Sequence, residues 1–253
     1  MNPLLRFPPV GAAAALAITA AMDKGGLTMF SALPLIPLTI LFWVLQKMSR
    51  REMGLTWGPP GGYGLALLYP ATVPVLLIAA AWVAGDVDTS ATEWNPVLIQ
   101  AALGATVGIL GALLTEEWFF RGWLWASLRR AGVSPRGVLL ASTAVFTLWH
   151  FSAVALTEEF GLPPAQWPVY LANVFLIGLV WGMMRLQSGS VVGPAVSHAV
   201  WNALVYGFFG MGDATGALGI TKTHLFGPEV GLLGIAANLV FAGWLWRRVR
   251  PVG

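Results

Sequence analysis

Long apolar runs separated by short polar joints dominate the chain. Most of these runs approach the roughly 20 residues that a helix needs to cross a bilayer. Pro and Gly mark the joints, for example at residues 59–62, 163–164 and 227–228. The pattern predicts an all-α membrane protein, a bundle of about eight transmembrane helices. The predicted spans are residues 8–22, 27–47, 62–84, 96–128, 137–156, 168–186, 190–211 and 229–247.

The charged residues between these segments alternate in sign. Because cytoplasmic loops are rich in Lys and Arg, the alternation predicts eight spans with both termini in the cytoplasm. The basic markers are Arg6, Lys47, Arg50, Arg51, Arg129, Arg130, Arg136, Arg185, Arg247, Arg248 and Arg250. The acidic or mixed joints carry Asp86, Asp88, Glu93, Glu158, Glu159, Asp213, Lys222, His224 and Glu229, which are interpreted as loop residues.

Composition supports the membrane assignment. The 253 residues are 57% hydrophobic and 10% charged, whereas soluble domains carry about 25% charged residues. We therefore expect one transmembrane domain over residues 1–253, with the first segment as a span and not a cleaved signal. The net charge of +3 is interpreted as a topology signal and not as nucleic-acid binding. The absence of cysteine excludes disulfides and thiol nucleophiles.

The fourth segment holds charges at bilayer depth, in Glu116-Glu117-x-x-x-Arg121. A charge at the centre of a span costs at least about 2.5–3.5 kcal/mol on insertion scales and persists mainly where it has a function. Glu117 and Arg121 share one helical face and can neutralise each other. Glu116 lies about 100° around an α-helix and lacks that partner. The motif predicts one structural carboxylate and one that is free for chemistry.

Two further pairs have the same spacing of four residues. Phe146 and His150 share a helical face, so the phenyl ring can orient the imidazole. His198 and Asn202 also face one way, and both can donate hydrogen bonds to one point. Glu116, His150 and His198 each lie 13 or 14 residues from a basic marker, or roughly 20 Å along a helix. The three spans are therefore predicted to form one site.

The three motifs, in this order on three spans, resemble the CPBP family of CAAX prenyl endopeptidase and bacteriocin-processing (Abi-like) membrane proteins. The resemblance covers residues of about 95–205, the expected catalytic core. It implies a bundle of about eight transmembrane helices around a polar, water-filled intramembrane cavity. It also implies that Glu116 is the general base, that Glu117 and Arg121 support it, and that His150 holds the attacking water.

By the same resemblance, His198 and Asn202 would stabilise the oxyanion. Family members are described either as metalloproteases or as metal-independent glutamic-type enzymes. A metal-free site is favoured here because His198 and Asn202 look like a donor pair. Zinc bound by Glu116, His150 and His198 stays an alternative, since carboxylate and imidazole are ordinary zinc ligands.

Several aspects of the function stay open. The expected partners are the lipid bilayer and a membrane protein or peptide substrate, which could be a C-terminal sorting segment, a bacteriocin-type leader or a CAAX-like C-terminus. The absence of cysteine and the Ala/Gly/Trp-rich composition favour a prokaryotic inner membrane. A non-catalytic peptide-binding or immunity protein and a proton-coupled transporter are the alternatives. The oligomeric state cannot be read from the sequence.

Overall fold

The computed structural model describes residues 7–158, 161–211 and 214–249. Arg6, Glu159, Asp213 and Arg250 lie outside these ranges, so their predicted loop positions are not tested. The described chain is a helical bundle with one β-hairpin, whose two strands have two residues each. Its helices are α1 (Phe7–Lys24), α2 (Leu35–Gln46), α3 (Gly61–Val83), α4 (Trp94–Ala112), α5 (Trp125–Arg130), α6 (Pro135–Leu156), α7 (Trp167–Ser188), α8 (Val192–Leu204), α9 (Thr223–Phe226) and α10 (Leu232–Trp246).

Short 3₁₀, π-helical and β elements lie between these helices. A π-helix joins α4 to α5 without a break, so that residues Trp94–Arg130 form one helical rod. The hairpin strands pair antiparallel, with Gly210 opposite Thr215. The short elements are the 3₁₀ turns Thr28–Phe30 and Pro164–Gln166, the π-helices Leu113–Leu124 and Val205–Phe209, and the strands β1 (Gly210–Met211) and β2 (Ala214–Thr215).

All eight apolar segments predicted from the sequence lie largely on helices. Five stretches in the described chain are long and apolar enough to cross a membrane: Thr28–Gln46, Gly61–Val83, Trp94–Arg130, Pro135–Leu156 and Pro164–Ser188. The helices on the first, seventh and eighth segments do not meet this criterion of length and hydropathy. Helix α10, on the eighth segment, is apolar but has only 15 residues. The chain is thus a helical membrane protein, whereas the count of eight spans and the cytoplasmic termini stay predictions.

Helix packing places α7 and α8 at the centre of the bundle. α8 packs along α4 and α3, and α7 packs along α6 and α10. Buried polar contacts fix α1 to α6, because the Trp149 indole donates to the Thr19 hydroxyl at 2.7 Å and the Ser152 hydroxyl donates to Asp23 at 2.6 Å. The three motifs lie on the π-helix Leu113–Leu124, α6 and α8, and α7 packs against both α6 and α8.

The helix through the first motif differs from the prediction. Residues Leu113–Leu124 form a π-helix, so the assumed α-helical angle of about 100° between Glu116 and Glu117 was wrong. A π-helix closes i→i+5 hydrogen bonds, and its wider turn is frequent at functional sites. Periodicity in the sequence gives no signal for this change, because the same apolar run fits either helix.

The connection after α2 carries an ion pair with a defined pH response. Glu52 accepts hydrogen bonds from Arg130 at 2.7 and 2.9 Å, and that contact lowers the Glu52 pKa from 4.5 to about 2. We expect Glu52→Gln to lower stability at pH 7 by about 0.2–1 kcal/mol, as for other exposed pairs. Since the folded-state pKa is depressed, this difference is present above pH 4.5 and is lost as the pH falls toward 2.

Melting curves of wild type and Glu52→Gln across that pH range provide the measurement. Glu93→Gln is a matched control, because Glu93 forms no ion pair in the described part of the chain. If wild type were more stable than Glu52→Gln by the same amount at pH 7 and pH 2.5, the ion pair with Arg130 would not be the origin of the pKa shift.

Candidate active site

A buried ion pair forms the base of the candidate site. Arg121 lies 3.1 Å from Glu117, and neither side chain is exposed. The same guanidinium donates to the Gly178 carbonyl at 3.3 Å and lies 4.0 Å from the centre of the Phe146 ring. The predicted pairing of Glu117 with Arg121 is therefore present, although on a π-helix.

Gly178 allows α7 to approach this pair closely. A Cβ atom at this position would lie 3.1 Å from both Phe146 and Thr143 and 3.3 Å from Arg121. These contacts are tighter than nine in ten Cβ contacts, so a larger residue would require the neighbouring side chains to shift by a few tenths of an ångström. The sequence alone gave no reason to associate this glycine with the site.

Glu117 also holds one of the two histidines. His198 Nδ1 lies 3.0 Å from Glu117 Oε1, so α8 is tied directly to the π-helix. Trp181 stacks on the imidazole with a centroid distance of 4.1 Å and an interplanar angle of 19°. The His198 ring is thus fixed by a carboxylate at its edge and an indole on its face. Neither contact was predicted.

In the described part of the chain Glu116 forms no ion pair with Arg121 and lies near the two histidines. Its Oε2 atom lies 3.9 Å from His150 Nε2 and 3.9 Å from His198 Nε2. These distances exceed those of direct hydrogen bonds. Oε2 is buried and has no hydrogen-bond partner in the described structure. The sequence prediction that Glu116 lacks the arginine partner agrees with this geometry.

Phe146 orients His150 in two ways. The phenyl ring packs edge-on against the imidazole at 4.4 Å, and the Phe146 carbonyl oxygen lies 2.9 Å from His150 Nδ1. A carbonyl only accepts, so Nδ1 carries the proton and Nε2 of the neutral ring presents its lone pair to Glu116. The ring contact was anticipated from the spacing, whereas the hydrogen bond to the backbone was not.

These side chains surround a small cavity of about 60 Å³. One water needs about 10–15 Å³ of such volume, so the cavity has room for a few. Asn202, one turn after His198 on α8, reaches it as the sequence predicted. The lining residues are Glu116, Phe146, His150, Tyr170, Val174, Ile177, Trp181, His198, Asn202, Tyr206 and Glu229.

Glu229 lies in the turn between α9 and α10, in agreement with the predicted loop position, but its burial was not predicted. It is only 5% exposed and lies in the cavity wall. Its carboxylate accepts from the Trp201 indole at 2.7 Å and from the Tyr206 hydroxyl at 3.4 Å, and its backbone carbonyl accepts from Asn173 at 2.9 Å. The sole sequence signal was an acidic residue at the start of an apolar run.

Glu116 lies farther from His150 and from His198 than two ligands of one zinc ion lie from each other. Two ligand atoms about 2.0–2.1 Å from a tetrahedral zinc ion lie about 3.3 Å apart, whereas Glu116 Oε2 is 3.9 Å from each histidine nitrogen. No group of three His, Cys, Asp or Glu side chains in residues 7–158, 161–211 and 214–249 is placed to hold a metal ion. Zinc binding by Glu116, His150 and His198 would require the three side chains to move closer.

The fold and the cluster define a helical membrane protein with a partly buried Glu–His–His site inside the bundle. Residues 97–204 match the family model described as Rce1-like, Type II CAAX prenyl endopeptidase Rce1-like. The resemblance to the CAAX protease (CPBP) family is therefore confirmed over the segment that carries all three motifs, and this family is one of membrane proteases. No curated protein and no solved structure matches the chain.

Proposed function

We propose that the protein is an intramembrane endopeptidase of the glutamic type. The observation that carries the proposal is the convergence of Glu116 Oε2 with the Nε2 atoms of His150 and His198 at 3.9 Å. A water about 2.8 Å from each of two such atoms would bridge them with ordinary hydrogen bonds. The unpartnered Glu116 oxygen and the His150 lone pair are both acceptors for the protons of that water.

In the proposed reaction, Glu116 takes a proton from the water while the water oxygen attacks the peptide carbonyl carbon. His150 Nε2 accepts the other water proton in a hydrogen bond and so aims the oxygen. When the tetrahedral intermediate collapses, the carbon–nitrogen bond breaks and the proton on Glu116 passes to the leaving amine. The products are a carboxylic acid, which keeps the second water proton, and an amine, and Glu116 returns to its carboxylate form without any group besides these side chains and water.

His198 and Asn202 are proposed to stabilise the negative oxygen of the intermediate. Because His198 Nδ1 is engaged with Glu117, Nε2 can donate a hydrogen bond only when the ring is protonated. The carboxylates of Glu116 and Glu117 stabilise that charged form. The pair of Glu117 and Arg121 thus acts through His198 and fixes the direction of its donor.

The family and the site together favour a peptide substrate held at or within the membrane. The family description names CAAX prenyl endopeptidases, so a CAAX-like C-terminus is one candidate. A C-terminal sorting segment and a bacteriocin-type leader are the others, and a prokaryotic inner membrane is the proposed location. Each is an apolar or membrane-tethered chain that could approach a site lined by the π-helix, α6, α7 and α8.

Cleavage of a peptide panel by the purified protein in detergent tests the proposal. The panel contains a lipidated CAAX-like peptide, a C-terminal sorting segment and a leader peptide, each with and without a strong chelator. We expect cleavage of at least one peptide at an unchanged rate in the chelator. Loss on chelation with recovery in zinc would replace the glutamic mechanism by a metalloprotease. Failure of every peptide to be cleaved would favour the binding or immunity alternative.

A further inference from the structure

A second polar pocket lies at the end of the bundle, away from the Glu116 cluster. It has a volume of about 330 Å³ and is lined at helix ends, because Arg129 is near the end of α5, Pro135 begins α6 and Ser188 ends α7. The ends of spanning helices lie at the level of the lipid headgroups. The lining residues are Arg51, Thr56, Trp125, Arg129, Pro135, Arg185, Leu186, Ser188 and Gly189.

The pocket carries positive charge without an acidic partner. Arg51, Arg129 and Arg185 line it, and none of its described lining residues is Asp or Glu. The nearby carboxylate of Glu52 is already bound by Arg130 and by Ser49. Three arginine side chains therefore line a space in which the described residues supply no anion, and the Arg129 guanidinium donates only to the Val133 carbonyl, at 3.0 Å.

Arg185 is a buried cation that hydrogen bonds hold in the wall of this pocket. It is only 6% exposed, and it donates to the backbone carbonyls of Arg121 and Glu52, each at 3.0 Å. In the described part of the chain its contacts are thus with neutral groups and no carboxylate pairs with it. Gly54 leaves room for it, since a Cβ there would lie 2.6 Å from the guanidinium carbon. The fold holds a buried cation in place at the pocket wall.

The chemistry of the pocket selects a phosphate group. Arginine binds phosphate oxygens in paired hydrogen bonds, and the N-terminus of α6 at Pro135 adds the positive end of a helix dipole. Basic pockets between membrane helices bind anionic headgroups. We infer that Arg51, Arg129 and Arg185 form a binding site for the phosphate of an anionic phospholipid headgroup. This pocket shares no lining residue with the proposed catalytic cavity, although Arg185 donates to the Arg121 carbonyl, so the inference does not depend on the peptidase assignment.

Thermal stability of the full-length protein in an uncharged detergent tests the inference. Phosphatidylglycerol is expected to raise the melting temperature of the wild type by about 5 °C or more at saturating concentration. Phosphatidylcholine, whose phosphate is neutralised by its own choline, is expected to cause a much smaller shift. Inorganic phosphate in a third arm separates a lipid headgroup from the free ion.

The double variant Arg51→Gln/Arg129→Gln is expected to lose most of the shift. Both side chains are exposed, so the variant should fold with an unchanged melting temperature in the absence of lipid. Arg247→Gln/Arg248→Gln is the matched control, because it removes the same charge at the same end of the bundle, where Arg136 contacts Trp246. The control is expected to keep the full shift.

Three outcomes would overturn the binding site, and a fourth would overturn its assignment to a lipid. The first is a shift of equal size with phosphatidylcholine, and the second is a full shift in the Arg51→Gln/Arg129→Gln variant. The third is an equal loss in the control variant, which would indicate general charge attraction. An equally large shift with inorganic phosphate alone would overturn the assignment to a lipid.

Discussion

Glu116→Gln is expected to lower kcat/KM for peptide cleavage by about 10²–10⁴-fold, the range for removal of a general base. Glutamine has the same shape as glutamate but cannot take a proton from water. The Oε2 atom of Glu116 has no hydrogen-bond partner in the described structure, so the substitution breaks no hydrogen bond at that atom. Activity should therefore fall while the melting temperature stays unchanged.

His150 provides an internal check on this assignment. If Glu116 and His150 act on one water, His150→Ala alone should also abolish most of the activity. The double variant Glu116→Gln/His150→Ala should then cost little more than either single variant, because groups that act as a unit are strongly non-additive. The rates are measured by single-turnover cleavage of whichever panel peptide the wild type cleaves.

Glu158→Gln is the matched control for the loss of a carboxylate. Glu158 is exposed after the end of α6, so its amide variant should cleave at the wild-type rate. Wild-type activity in Glu116→Gln would disprove the assignment of the base. A large loss of folded protein in Glu116→Gln would instead assign the residue a structural role.

The second large effect is expected at the buried ion pair. Arg121→Met leaves the Glu117 carboxylate in a site with no exposure and without its guanidinium. Removing one partner of a buried pair costs about 3–5 kcal/mol, whereas replacing both partners with apolar residues is often neutral. Glu117→Leu/Arg121→Met should therefore be more stable than Arg121→Met alone.

Stability and cleavage activity should respond differently to this double substitution. Glu117 also holds His198 Nδ1 at 3.0 Å, so its loss frees the imidazole even where the fold recovers. We expect melting temperatures to recover in Glu117→Leu/Arg121→Met while cleavage stays low. Arg247→Met, a change at an exposed arginine, is the control for loss of positive charge.

Thermal unfolding and the cleavage assay on the same preparations give both readouts. Equal stability of Arg121→Met and Glu117→Leu/Arg121→Met would show that the two charges are not coupled. Recovery of cleavage together with stability would show that Glu117 does not act through His198.

The sequence by itself determined the membrane-protein class and the residues of the cluster. Apolar runs of span length require helices, because a helix satisfies its backbone hydrogen bonds within the lipid. Charges inside such runs are costly, so Glu116, Glu117 and Arg121 stand out without any structure. The spacing of four residues was enough to pair Glu117 with Arg121 and to place Phe146 beside His150.

Contacts between distant segments were decided only by the tertiary structure. The bond from Glu117 to His198, the Trp181 ring on His198 and the position of Glu229 join residues far apart in the chain. The π-helix at Leu113–Leu124 also could not be predicted from the sequence. Periodicity reports which residues share a face of one helix, but the partner of that face is chosen by the packing of all the helices together.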